Sequence, residues 1–230
     1  MRIVAAKNLI EFVPQHPETA PSLAHWRAVT KAAKWQTCSD IQSVFPKAKT
    51  LNAERVRFEI AGGNYRLVVA FNFEHQIAFI KFIGSHAEYD RIDCLHRVVV
   101  LEDWQMDIRP IRSVEDHAEA LRMIERLWNA PKGSPQGDTL DILATLVDAY
   151  EAEHHHFDRL DPIATIKAHM EMAGHTQADF AELIGSRSRA SEILARKRLL
   201  NLRQVHKLVE AWKIPADLLI QPYELDRSVA

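Results

Sequence analysis

Five residues near the middle of the chain, His86-Ala87-Glu88-Tyr89-Asp90, hold a histidine, a tyrosine and two carboxylates. Arg57 and Arg66 precede them, and Lys81 lies a few residues upstream, so positive charge accompanies the acid–base groups. Cleavage of RNA by its own 2′-hydroxyl needs a proton acceptor, a donor for the leaving oxygen, and cations facing the developing phosphorane. His86, Tyr89, Arg66 and Lys81 are suitable types for those parts. The plainer reading is a capping histidine beside an ordinary aromatic corner. Whether Arg66 and Lys81 share one sheet face depends on strand register.

A second constellation occupies residues 174–199 and fits DNA. Thr176 can cap a helix whose apolar positions are Phe180, Leu183 and Ile184, Gly185 supplies a turn, and another helix begins near Arg187 with Ile193 and Leu194 inward. A recognition helix needs small polar or basic residues at its start, where backbone and side chains approach base edges together. Ser186, Arg187, Ser188 and Arg189 provide them, and Thr176 and Gln177 join the set at the first helix. The basic triplet Arg196, Lys197, Arg198 then suits phosphates. The alternative is a solvated basic helix pair in an ordinary bundle.

Other candidates read blandly. Consecutive histidines at 154–156 point in different directions and suit a helix C-terminus better than a metal. Trp26, Trp35 and Trp128 fit core or interface positions. Gly62-Gly63 marks a turn, because a phosphate cradle would need a following helix. Cys38 and Cys94 have no metal-ligand spacing, so neither a zinc site nor a disulfide framework is expected, and no cofactor is called for. No stretch has the length of a membrane span, and Lys7 interrupts any secretory segment, which points to the cytoplasm and away from membranes.

The elements that must position these residues fall into an α+β class. Helical spacing covers 5–13 and 20–33, with Pro14 and Pro17 between them. From Arg55 the period drops to two: Val56, Phe58, Ile60; then Tyr65, Leu67, Val69, Phe71, Phe73; then Ile77, Phe79, Lys81, Ile83. Turns at 62–64 and 74–76, the latter holding His75, make 55–83 an antiparallel three-stranded meander. Segment 95–101 could be a strand or a connector. Ser113 opens a helix with Ala118, Leu121, Ile124, Leu127 and Trp128 on one face. After a loop at 131–137, a second helix from Thr139 to about Phe157 turns Leu140, Leu143, Leu146, Val147 and Tyr150 inward. Asp161-Pro162 opens an all-α bundle. Charge is segregated: residues 1–93 carry net +3, residues 94–160 net −6, and 185–213 hold 8 basic against 2 acidic residues. A positive first surface apposed to an acidic middle segment follows, with a separate phosphate-facing patch.

Residues 1–93, with Gly62-Gly63-Asn64-Tyr65-Arg66-Leu67 and the run from Phe79 to Asp90, resemble the HigB toxin family. That resemblance implies a RelE-like fold and ribosome-dependent cleavage of mRNA, and carries over Asn64, Arg66, Lys81, His86 and Tyr89 to the RNA site. Residues 106–230 resemble the HigA antitoxin family, through Met106-Asp107-Ile108-Arg109-Pro110-Ile111, Asp141-Ile142-Leu143-Ala144-Thr145-Leu146-Val147 and the helix pair at 174–199. That resemblance implies a helical N-terminal part and an Xre-type helix-turn-helix. The division expected is a toxin-like 1–93, a junction 94–105, a helical hairpin 106–160, and a DNA-binding bundle 161–230. Toxin and antitoxin are usually separate chains, so one chain carrying both is a departure. The partners implied are mRNA on the ribosome, operator DNA, a second copy of the chain, and the toxin-like and antitoxin-like parts for each other. A DNA-binding regulator with an inactive first domain, or a ligand sensor, are the competing classes.

Overall fold

Alternating apolar residues in the meander and helically spaced ones before it must bury against each other, and they do so as a sheet backed by helices. The structure is a computed structural model that describes residues 1–91, 108–155 and 157–226. Segment 95–101, the junction at 94–105, Met106 and His156 lie outside the described residues. Strand β1 (Arg2–Val4) leads to α1 (Lys7–Phe12), α2 (Ala20–Ala32), α3 (Cys38–Val44) and β2 (Lys49–Thr50). The meander follows as β3 (Arg55–Ile60), β4 (Tyr65–Asn72) and β5 (Ile77–Ser85), then the short helix α4 (His86–Tyr89).

The expected meander forms the centre of a five-stranded sheet of order β1-β5-β4-β3-β2. β1 runs parallel to β5, so the sheet is mixed at that edge. Val56, Phe58, Ile60, Leu67, Val69 and Phe71 are buried together with Trp26, Trp35 and Phe45. Trp26 and Phe45 meet Phe58 edge-on, with ring centroids 5.7 and 5.5 Å apart. The other face of the sheet carries Arg57, Arg66 and Phe79. A register shift between Val68 and Val69 leaves Lys81 without a paired residue on β4, and its ammonium lies over the Phe79 ring. Arg66 and Lys81 therefore share the face turned away from α2 and α3.

The acidic middle segment folds as a helical hairpin, α5 (Val114–Arg126) and α6 (Pro135–His154). Ser113 caps α5, as its sequence suggests. α6 starts four residues earlier than Thr139, because the Ser134 hydroxyl accepts the Gly137 N–H and Pro135 suits a first helical turn. It also ends sooner, at His154, whose ring bonds the Tyr150 carbonyl. Ile124, Leu127, Leu140, Leu143, Ala144 and Val147 join the core of the sheet unit.

α6 runs along the outer edge of β1 and meets it with carboxylates. Asp141 Oδ1 accepts from the Arg2 guanidinium at 2.5 Å, Asp148 Oδ1 from the Ile3 N–H at 3.4 Å, and Glu151 Oε2 from the Ala6 N–H at 2.9 Å. Glu151 is 2% exposed, and its other oxygen bonds His117 Nε2 of α5 at 2.8 Å. Each buried aliphatic side chain contributes about 1.5–3 kcal/mol, whereas an exposed pair such as Lys31–Asp148 contributes about 0–1 kcal/mol. Apolar packing thus dominates the docking, and the buried carboxylate sets its register.

The remaining helices are α7 (Pro162–Ala173), α8 (Gln177–Ile184), α9 (Arg187–Leu194), α10 (Leu202–Trp212) and α11 (Ala216–Leu219). Ile163, Ile166, Phe180, Ile193, Leu208 and Ile214 form a second core. α7 belongs to both units. Its Met172 is buried in the first core, and its Glu171 carboxylate accepts from the Ser22 hydroxyl at 3.0 Å and the Gly62 N–H at 2.6 Å. No helix among the described residues is long and apolar enough to cross a membrane.

Glu151→Ala leaves the Ala6 N–H and the His117 ring unanswered in a buried place. The expected cost in urea unfolding of the whole chain is about 3–5 kcal/mol, against at most about 1 kcal/mol for Lys31→Ala. Equal costs for the two variants would contradict the assignment of Glu151 as the buried anchor.

Candidate functional site

Antiparallel pairing puts Tyr65 opposite Ser85 and Arg66 opposite Gly84. The β3–β4 turn and α4 therefore lie at the same end of the sheet, which brings Asn64, Arg66, His86 and Tyr89 to one place. Ser85 caps α4, and Glu88 closes a capping box with it. Those hydrogen bonds hold the Glu88 carboxyl below its usual range. His86 Nδ1 lies 3.0 Å from Asp90 Oδ2, both exposed, so a carboxylate orients the imidazole. The Arg57 guanidinium stands over the Tyr89 ring, 5.5 Å from its centroid. Asn64 is exposed at the turn.

Arg66 is 6% exposed, and its guanidinium donates to the Gly63 carbonyl at 2.5 Å and to that of Tyr65 at 3.2 Å. In this state it braces the turn. The turn needs bracing because Ala61, Gly62 and Gly63 all have positive φ, which costs a side chain-bearing residue such as Ala61. Near the same sheet end the Tyr65 hydroxyl lies 2.5 Å from Glu18 Oε1 and 3.0 Å from His16 Nδ1. Spacing in sequence hides that cluster, since 47 residues separate Tyr65 from Glu18.

Lys81 stands apart, three residues before Gly84 and so roughly 10 Å along the strand. Its ammonium bonds Glu125 Oε1 of α5 at 2.6 Å and faces the Phe79 and Trp128 rings at 3.5 and 5.9 Å. Burial pushes its pKa down, with Glu125 opposing that effect. A cation expected among the RNA-facing groups is thus covered by the antitoxin-like segment. His75, assigned to a turn without a role, is buried at this contact instead. Its Nδ1 lies 3.1 Å from Asp141 Oδ1 and its Nε2 3.0 Å from the Ala130 carbonyl. Burial raises the pKa of Asp141, but its bonds to Arg2 and His75 outweigh this and hold it below the usual range. Neither Glu125 nor His75 carries a local signal of this role, because both act across the contact.

The helix pair expected at 174–199 is present as α8 and α9. Thr176 caps α8 in a box with Asp179, Gln177 is exposed, and Gly185, at φ 80°, closes the helix. Ser186 caps α9, whose first turn presents Arg187, Ser188 and Arg189 to solvent. Ser188 also bonds Glu192 at 3.1 Å. The basic triplet is divided by the structure. Arg196, at φ 57°, ends α9 with its guanidinium 2.7 Å from Asp161 Oδ2. Arg198 bonds Glu192 at 2.5 Å, and Lys197 is exposed. Among the described residues no group of three or more His, Cys, Asp or Glu is placed to hold a metal ion.

Residues 19–92 match the HigB_toxin family, the RelE-like toxic component of a toxin-antitoxin system. The chain is 25% identical over 99 residues to the mRNA interferase HigB of Escherichia coli O6:H1, covering 42% of this chain and 96% of that protein. It is 29% identical over 118 residues to the antitoxin HigA of Escherichia coli K12, covering 48% of this chain and 83% of the relative. The antitoxin HigA of Shigella flexneri gives the same values. The chain is similar to a HigB toxin and to a HigA antitoxin at once, and the two likenesses together fit a HigB–HigA fusion.

Proposed function

We propose that this toxin–antitoxin fusion carries a ribosome-dependent, mRNA-cleaving endoribonuclease in residues 1–93, neutralised in cis by residues 106–230, which also bind operator DNA as an autorepressor. The observation that carries the reading is the Lys81–Glu125 ion pair, because it joins a cation of the candidate RNA site to the docked hairpin. A phosphate arriving at that face competes with Glu125 for Lys81, and a covalently held carboxylate has the advantage of a high local concentration. In the released toxin-like part, Arg66 and Lys81 stabilise the phosphorane, Asn64 and Tyr89 position the base, and His86 transfers the proton. Two copies of α9 bound to a palindrome supply the affinity that one half-site lacks. Arg187 and Arg189 read bases, with Ser186 and Ser188 close to the DNA; Lys197 contacts phosphate, as do Thr176 and Gln177 at the start of α8.

A second reading, a regulator whose first domain has lost its chemistry, is favoured by one observation. One nitrogen of the Arg66 guanidinium is turned to the Gly63 and Tyr65 carbonyls, and the side chain is buried. Expression of residues 1–93 alone separates the two. Growth arrest with mRNA cleavage is expected, reversed by supplying 106–230 as a second chain. His86→Ala, Arg66→Ala and Tyr89→Phe should each slow cleavage by about a hundredfold to ten-thousandfold, with circular dichroism confirming the fold. His75→Ala should leave cleavage by 1–93 unchanged and weaken its inhibition by 106–230. A folded but harmless 1–93 would establish the inactive-domain reading.

For DNA, fluorescence anisotropy on the sequence upstream of the gene is the measurement. Lys197→Ala should weaken binding to all sequences and lower the salt slope by about one, while Arg187→Ala should relax sequence preference. Arg196→Ala should lower the stability of the bundle rather than the salt slope. Binding insensitive to salt would overturn the DNA reading.

A further inference from the structure

Helix α2 of the toxin-like unit, the segment 157–160 and helices α7 and α11 of the bundle enclose a cavity of about 320 Å³. That is the lower end of the range for small-ligand sites. Its walls differ in character. Phe157, Leu160 and Leu218 make it apolar, together with alanines of α2, and Arg27, Lys31 and Arg159 bring three cations against the carboxylates of Asp158 and Asp217. The Arg27 guanidinium lies over the Phe157 ring at 5.6 Å, so a cation and an aromatic face form one wall. Lys31 is already engaged by Asp148, which leaves Arg27 and Arg159 as cations of the wall, and of these Arg27 is the one held over the Phe157 ring.

Two buried polar atoms at this place lack partners among the described residues: Arg27 Nε and His25 Nδ1. His25 is 1% exposed and lines the cavity. Its Nε2 lies 3.2 Å from His169 Nδ1 of α7, across the contact between the two units. Burial keeps both rings neutral, with pKa values lowered to about 3 and about 2. In a neutral pair one ring donates to the other, so one of the outer nitrogens is an unanswered donor and the other an unanswered acceptor. Each unanswered group costs about 1–3 kcal/mol. A ligand oxygen accepting a hydrogen bond at His25 Nδ1 selects the tautomer in which His169 donates inward, and removes one of those costs.

We propose that this cavity binds a small organic anion with a flat apolar body, its carboxylate on Arg27 and His25 and its body against Phe157, Leu160 and Leu218. The occupant would touch α2 on one side and α7 and α11 on the other. It would bind the docked arrangement better than a separated one and so tighten the attachment of the DNA-facing bundle to the toxin-like unit. None of the residues assigned to RNA or DNA lines the cavity, so its fate is independent of those assignments.

The test is isothermal calorimetry on the full chain with 2-naphthoate, and with the neutral 2-naphthamide for comparison. One saturable site per chain is expected for naphthoate, with about tenfold weaker binding of the amide. Arg27→Gln should weaken naphthoate by about the same factor, and Ala28→Trp, which fills the space, should abolish binding. Naphthoate should also raise the thermal midpoint of the wild-type chain. Absence of saturable binding, equal affinity for acid and amide, or unchanged binding in a folded Ala28→Trp would each overturn the proposal. If Ala28→Trp does not fold, Arg27→Gln decides alone.

Discussion

The outer edge of β1, where the Ile3 backbone N–H points away from β5, is paired with no strand among the described residues, and an edge left open in this way is a template for association. The chain covers it with α6, and the covering is chemical as well as steric. Asp141, Asp148 and Glu151 recur along one face of that helix and answer Arg2, Ile3 and Ala6 in turn. Glu151 does more than satisfy Ala6. Its second oxygen holds His117, which fixes α5 against α6 and carries the C-terminal turn of α5 over the sheet. Glu125 reaches Lys81, and the Trp128 carbonyl accepts from Asn72, as consequences of that placement.

The two units are joined a second time through α7. One side of this helix packs in the core of the bundle that holds α8 and α9, and the other meets α2 through His169, Glu171 and Met172. A rearrangement at α2 therefore has a short physical route to the helix pair, through a single rigid element. The acidic and basic segments meet as their net charges suggest, yet the pairing is not uniform. Glu54 accepts from the neutral Trp128 indole, and the Glu74 carboxylate of the basic segment accepts from the Lys132 backbone N–H of the acidic one. Specific geometry, more than the mean field, sets the contact.

Much of the secondary structure was legible because its periods are long enough to see. The alternation from Val56 to Ile83 reads as three strands, and three strands form; the helix starts at Ser113 and Thr176 and the turn at Gly185 stand where their residue types place them. β1 and β2 were not legible, since strands of three and two residues carry no period. The start of α6 was misread because Pro135 and Gly137 resemble loop residues unless Ser134 is recognised as a cap. At the candidate RNA site, sequence grouped His86 with Tyr89 and left the face of Lys81 open; the register shift at Val68/Val69 settles that face. The division of Arg196 from Lys197 depends on Asp161, 35 residues away, and spacing alone cannot reveal it.

Hydrogen exchange at the Ala6 amide tests the central contact most directly. In the full chain this N–H is answered by a buried carboxylate from the antitoxin-like helix, so it should exchange slowly and with the free energy of global unfolding. Exchange at Ala6 as fast as in an exposed peptide, while the amides of β4 stay protected, would contradict the docking of α6 on the edge of β1.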